Sequence, residues 1–145
     1  MIPQFKKLTD HERELLYKAP VLISLQVSCS EKKVNKVQKR DAIKLAHLKT
    51  FTADPLLIPY YTEVEGDFEK QFESAEKKYC PFDEAKQQEL AIEIEEINKI
   101  ISKLDPLYAR ILSKSFKKYE SHVRRADHNV VQDFLIPLQI PGLND

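Results

Sequence analysis

Between residues 61 and 79 the side chains of Tyr61, Val64, Phe68, Phe72, Ala75 and Tyr79 recur three and four positions apart. That spacing places all of them on one face of an α-helix, which turns once in about 3.6 residues. A strand, whose side chains alternate with a period of two, cannot present it. The wider composition points the same way. Only two glycines occur in 145 residues, and 32% of the residues are charged. A sheet protein needs more turn residues than this, whereas helices with solvated outer faces do not. The chain is expected to be all-α, a single-domain bundle of about six or seven helices over residues 1–145. Gly66 lies inside the stripe and costs about 1 kcal/mol against alanine. Either it sits at a tight packing contact or the helix begins late.

Start and stop signals divide the rest. Thr9 and Glu12 have capping-box spacing and put a helix start near Asp10, with Leu15, Leu16 and Ala19 turned inward. Pro20 is expected to end that helix or to open the next. "PVLISLQVSCS" suits a buried strand or a buried helix; with no second strand to pair with, it reads as helix. A further helix is expected over about Lys36–Phe51, with Val37, Ile43 and Ala46 inward, joined by Leu45 and Leu48. Asp54 caps a turn begun by Pro55 and stopped by Pro59. Asp83 caps a helix with a seam of Leu90, Ile94, Ile97, Ile101 and Leu104. Asp105 and Pro106 mark the next stop and start. The last helix carries Tyr108, Ile111, Leu112, Phe116, Tyr119, Val123 and Ala126. Residues 127–145 form a proline-broken apolar tail, expected to lie along the bundle surface rather than to hang free as a sticky terminus.

The 23 basic and 23 acidic residues cancel, so no global field attracts nucleic acid or an anionic membrane. They are unevenly placed, however. Residues 31–50 hold seven basic and two acidic side chains, 61–96 hold four and twelve, and 102–125 hold seven and two. A compact bundle would set an acidic hairpin between basic helices. Charge matching and solubility account for this simply; a surface for a charged partner is the functional alternative. The basic stretches carry neither clustered stacking aromatics nor a glycine loop, which argues against nucleic acid.

Most catalytic signatures are missing. No histidine among His11, His47, His122 and His128 follows a glutamate by three residues, as a di-iron bundle needs. HExxH is absent: "HE" at His11 and Glu12 is followed by Leu15 where the second histidine would stand. Two glycines cannot build a phosphate loop or a dinucleotide fingerprint. Cys29 and Cys80 are too far apart for a zinc cluster and read as small, semi-buried residues of a reducing cytosol. The start lacks the pattern of a secretory signal, and no apolar run approaches the roughly 20 residues that span a bilayer. The glutamates at 93, 95 and 96 read as a solvated helix face.

Taken in order, "LTDHERELLYKAPVLISLQ", a polar loop, "AIKLAHLKTF" and "YYTEVEGDFE" resemble the TerB-like family, the helical proteins related to tellurite-resistance protein B, over about Leu8–Leu112. The resemblance implies an all-α bundle, a cytoplasmic location and a non-enzymatic role linked to stress response. It also implies a divalent-cation loop after the second helix, with the family pattern Ala-Asp-Gly-x-Ile-Asp-x-x-Glu. Those positions fall here on Ser30 to Gln38. Val34 keeps the apolar position and Glu31 the first acid, but Asn35 and Gln38 replace the other two, and Lys32 replaces the glycine. Amides keep a carbonyl oxygen and lose the charge that attracts a hard cation. Lysine adds charge of the wrong sign. The loop is expected to keep its shape without its metal; Asn35 also suits a plain helix N-cap.

The expected function is therefore a cytoplasmic, non-enzymatic, TerB-like interaction protein. Its contact surface would be the tail residues Phe134, Leu135, Ile136, Leu138 and Ile140, or the charged faces. No catalytic residue and no cofactor are expected, nor nucleic acid or membrane insertion; a protein partner or self-association is. The alternatives are a divalent-cation sensor using Glu31, Asn35 and Gln38 with acids such as Glu63, Glu65, Asp67 or Glu69, and an enzyme whose site is assembled from distant residues.

Overall fold

The computed structural model describes residues 2–28 and 36–125, without the side chains of residues 36–38, 51 and 125. It is all-α: five packed helices and, among the described residues, no strand. They are α1 (Asp10–Ser28), α2 (Lys36–Thr52), α3 (Ile58–Tyr79), α4 (Glu84–Ile101) and α5 (Pro106–Arg125). Short 3-10 turns at Pro3–Phe5 and Pro55–Leu57 precede α1 and α3.

The caps form where the sequence places them. Glu12 N–H donates to Thr9 Oγ1 at 3.1 Å, and Thr9 N–H donates to Glu12 Oε1 at 2.9 Å. Both amides would otherwise lack a partner at the first turn of α1. Asp54 accepts from Leu56 N–H, Asp83 from Lys86 N–H, and Asp105 from the N–H groups of Leu107 and Tyr108.

Among the described residues, that there are five α-helices rather than six or seven follows largely from one residue. Pro20 neither ends a helix nor starts one; it lies buried inside α1. A proline there deletes the N–H that would bond to Leu16 O and ordinarily costs about 3 kcal/mol. Tyr60 makes good the deletion: its hydroxyl donates to Leu16 O at 2.6 Å. Ser24 and Ser28, buried one and two turns further on, donate back to Pro20 O and Ser24 O. Pro59 likewise opens α3 instead of stopping the preceding turn. Gly66 is neither at a tight contact nor before a late start, since α3 begins at Ile58 and a Cβ at Gly66 would meet nothing within 4 Å.

The core is one cluster with a tyrosine-rich centre. Tyr60, Tyr61, Tyr79, Tyr108 and Tyr119 are all fully buried, around Phe5 and Phe72. Tyr60 meets Phe5 edge-on at 6.1 Å, stacks on Tyr17 at 5.8 Å and meets Tyr61 at 5.0 Å between ring centroids. Such pairs add about 0.5–1.5 kcal/mol beyond their buried area. The expected seam of α4 is buried except for half-buried Ile94, with Ile100 added. On α2, Ala42, Leu45 and Ala46 face the core, while Leu48 is 49% exposed, contrary to expectation.

α1 is the central helix, packed against the other four. α2 packs mainly on α3, and α4 mainly on α1. The acidic helices α3 and α4 thus do not form a closed hairpin between the basic ones. α2 lies beside α3, whereas α5 packs on α1 and α2 and only lightly on α4.

Candidate functional site

That topology decides which charges find partners. Across α2 and α3, Lys39 pairs with Glu76 at 3.2 Å, and His47 with Glu65. Lys78 of α3 reaches Glu93 of α4 at 3.6 Å, and Lys103, just beyond α4, reaches Glu12 of α1. Charge matching between helices is therefore present, and it reaches α5 only toward its C-terminal end, where His122 faces Asp41 of α2 at 4.0 Å and Arg124 pairs with Glu120 at 2.9 Å. Among the described residues Arg110, Lys114, Lys117 and Lys118 form no ion pair, and neither does Lys49 at the end of α2.

Those five side chains line one groove of about 530 Å³ between the end of α2, the Pro55–Leu57 turn and α5. Thr52, Ser113 and Ser115 add hydroxyls, and Ala53, Leu57 and Ile111 add apolar wall. The one acid in the lining, Asp54, is engaged as the cap of the turn. Lys49 is half-buried, and its Nζ stands 5.8 Å from the centroid of the Tyr61 ring. A cation over a ring face is attracted by the ring's quadrupole. The Tyr61 hydroxyl shares a 2.5 Å hydrogen bond with Ser115 Oγ, tying α3 to α5 beneath the groove. Burial lifts the Tyr61 phenol to about 12, although the Ser115 bond opposes the shift. Burial, and next the charge of Lys118, push the Lys49 ammonium below its ordinary range. An anion placed there would favour the charged form of Lys49 and offset its repulsion by Lys118.

Two other grooves are less pointed. One, of about 400 Å³ between α1 and α3, carries Glu14, Glu63 and Asp67 beside Lys18 and Tyr17. Glu65 is turned to His47, so the acids from 63 to 69 are not gathered at one point. Among the described residues no group of three or more His, Cys, Asp or Glu could hold a metal ion. The other, of about 330 Å³ between α1, α4 and α5, is walled by Ile23, Ile94, Ile97, Ile101 and Phe116.

Of the residues singled out from sequence, Glu31 and Asn35 lie outside the described residues, as does the tail with Phe134, Leu135, Ile136, Leu138 and Ile140. Gln38 stands in the first turn of α2. Three of the histidines sit at exposed positions facing carboxylates: His11 near Glu96 at 3.8 Å, His47 near Glu65, and His122 near Asp41 at 4.0 Å. None lines the basic groove. Cys80 is half-buried. Among the described residues no helix is long and apolar enough to cross a membrane.

The basic groove escaped the sequence reading. Its one signal was the run Arg110, Lys114, Lys117 and Lys118, whose three- and four-residue spacing gathers them on one side of α5. Compared with protein families, with curated proteins and with solved structures, the chain matches none of them. The TerB-like resemblance rests on the phrases quoted above.

Proposed function

We propose that this chain is a cytoplasmic, non-enzymatic binding protein of the TerB-like kind, which takes an acidic segment of a protein partner into the groove between α2 and α5. The observation that carries the reading is the set of five basic side chains around one groove, none of them ion-paired among the described residues. Exposed basic residues that serve only solubility are usually interspersed with acids; here the one acid in the lining, Asp54, is committed to a cap. The apolar wall of Ala53, Leu57 and Ile111 favours a peptide over a nucleic acid. So does the position of Tyr61, whose ring is buried beneath Lys49 and offers no face for a base to stack on. The non-enzymatic reading is supported by where the raised pKa values fall. Five belong to tyrosines of the core, shifted chiefly by burial.

The test is a titration of isotopically labelled protein with a peptide of alternating glutamate and leucine. Amide shifts should concentrate at 49–57 and 110–118, weaken steeply with added salt, and vanish in Lys114→Glu/Lys118→Glu. Shifts elsewhere, or binding indifferent to the double charge reversal, would remove this groove as the site.

A further inference from the structure

The five basic groups of the groove are not equivalent. Arg110, Lys117 and Lys118 are exposed, and Lys114 is half-buried. Lys49 is held differently: its stem is half-buried at the end of α2 and its Nζ lies over Tyr61. Tyr61 is itself fixed through Ser115 of α5. Lys118 lines the same groove from α5. Two ammonium-bearing side chains therefore line one groove, one from α2 and one from α5, the first of them anchored over Tyr61, with the Ser113 hydroxyl in the same lining.

We infer that the anionic group held between Lys49 and Lys118 is a phosphate monoester, carried as a phosphorylated serine or threonine on the partner segment. The inference rests on the proposed binding function and narrows its ligand. A carboxylate brings one negative charge and two acceptor oxygens. A phosphate monoester brings about 1.5 to 2 negative charges at neutral pH and three acceptor oxygens. Two cations in one groove match the second in charge, and their ammonium donors, with the Ser113 hydroxyl, suit its tetrahedral array of oxygens. The anchoring of Lys49 adds to the effect, because an ammonium already fixed over a ring loses less freedom on binding than a free surface lysine. The apolar wall then serves residues next to the phosphorylated one, which distinguishes a phosphopeptide from free phosphate.

The experiment uses the full chain and three fluorescent peptides of alternating acidic and apolar residues, differing only in a central serine, glutamate or phosphoserine. Binding is followed by anisotropy, with inorganic phosphate as competitor. The phosphoserine peptide should bind about tenfold more tightly than the glutamate peptide, the worth of one good charge-assisted contact. That advantage should disappear in Lys49→Met and in Lys118→Met, the latter at an exposed position where folding is not at issue. Equal binding of the glutamate and phosphoserine peptides would overturn the inference and leave the acidic-partner reading standing. Failure of all three peptides would overturn both. Full displacement of the phosphopeptide by inorganic phosphate near the same concentration would also overturn it, by showing that the peptide adds nothing.

Discussion

The Tyr60 hydroxyl donates to the main-chain carbonyl of Leu16 at 2.6 Å, the acceptor that Pro20 leaves without its helical donor. A residue of α3 thus completes the hydrogen bonding of α1, and the two positions are coupled through one oxygen. Tyr60→Phe keeps the ring among Phe5, Tyr17, Tyr61 and Phe116 and removes only the donor. It should cost about 1–3 kcal/mol, the usual penalty for a buried carbonyl left unpaired. In a Pro20→Ala background the new Ala N–H can serve Leu16 O, so the same Tyr60→Phe change should cost clearly less. A double-mutant cycle by urea denaturation reads the coupling directly. Strictly additive effects would mean that the hydroxyl does not stand in for the missing amide.

Tyr108 presents the opposite case. Its hydroxyl is buried and has no hydrogen-bond partner among the described residues, while its ring meets Phe5 edge-on at 5.7 Å. Tyr108→Phe keeps the ring contact and removes a desolvated polar group. It should stabilise the protein by about 1 kcal/mol. The same chemical change at Tyr119, whose hydroxyl donates to Ala42 O at 2.9 Å, should destabilise it. Equilibrium unfolding of the two variants side by side should give opposite signs.

Gly66 offers a simpler gain. It lies within α3, among the described residues no glycine has a positive φ, and a Cβ there meets nothing within 4 Å. Alanine restricts the unfolded chain and improves helix propensity without a steric cost. Gly66→Ala should add about 1 kcal/mol and raise the thermal midpoint by roughly 3 °C. An unchanged or lowered midpoint would show that the glycine serves some contact other than packing within the described fold.

What the sequence could and could not show divides along local and distant causes. The caps at Thr9, Asp54 and Asp83 and the stripe from Tyr61 to Tyr79 depend on neighbours a few residues away, and they stand as expected. Pro20 misled because its neutralising partner lies 44 residues beyond the carbonyl it serves. Leu48 is exposed because α2 turns its small residues, Ala42 and Ala46, to the core. The groove was hidden for a topological reason. The charge blocks are plain in the chain, but that α5 packs mainly on α1 and α2 and only lightly on acidic α4 follows only from how the helices are arranged.

The last prediction concerns pH and Lys49. Burial and the charge of Lys118 hold its pKa below the ordinary 10.5. Between the lowered value and 10.5 the unfolded chain binds more protons than the folded one, so this group makes stability rise with pH across that window. Below the lowered value its penalty is fully present. The groups facing it set the terms: Lys118 opposes its charge, the ring of Tyr61 favours it, and Asp54, Lys114 and Arg110 share the groove. Lys49→Met removes the charge and keeps a polarizable contact with the ring. At neutral pH without ligand the variant should therefore be slightly more stable than the parent, the gain being limited by solvent screening of a half-exposed group. The gain should shrink as pH approaches 10.5. Buried tyrosines also titrate at alkaline pH, with pKa values raised by burial, and their loss of stability is common to both proteins. The difference between the two urea midpoints from pH 7 to pH 10.5 isolates Lys49. If that difference stays constant, Lys49 keeps its ordinary pKa in the folded chain, and neither burial nor Lys118 acts on it.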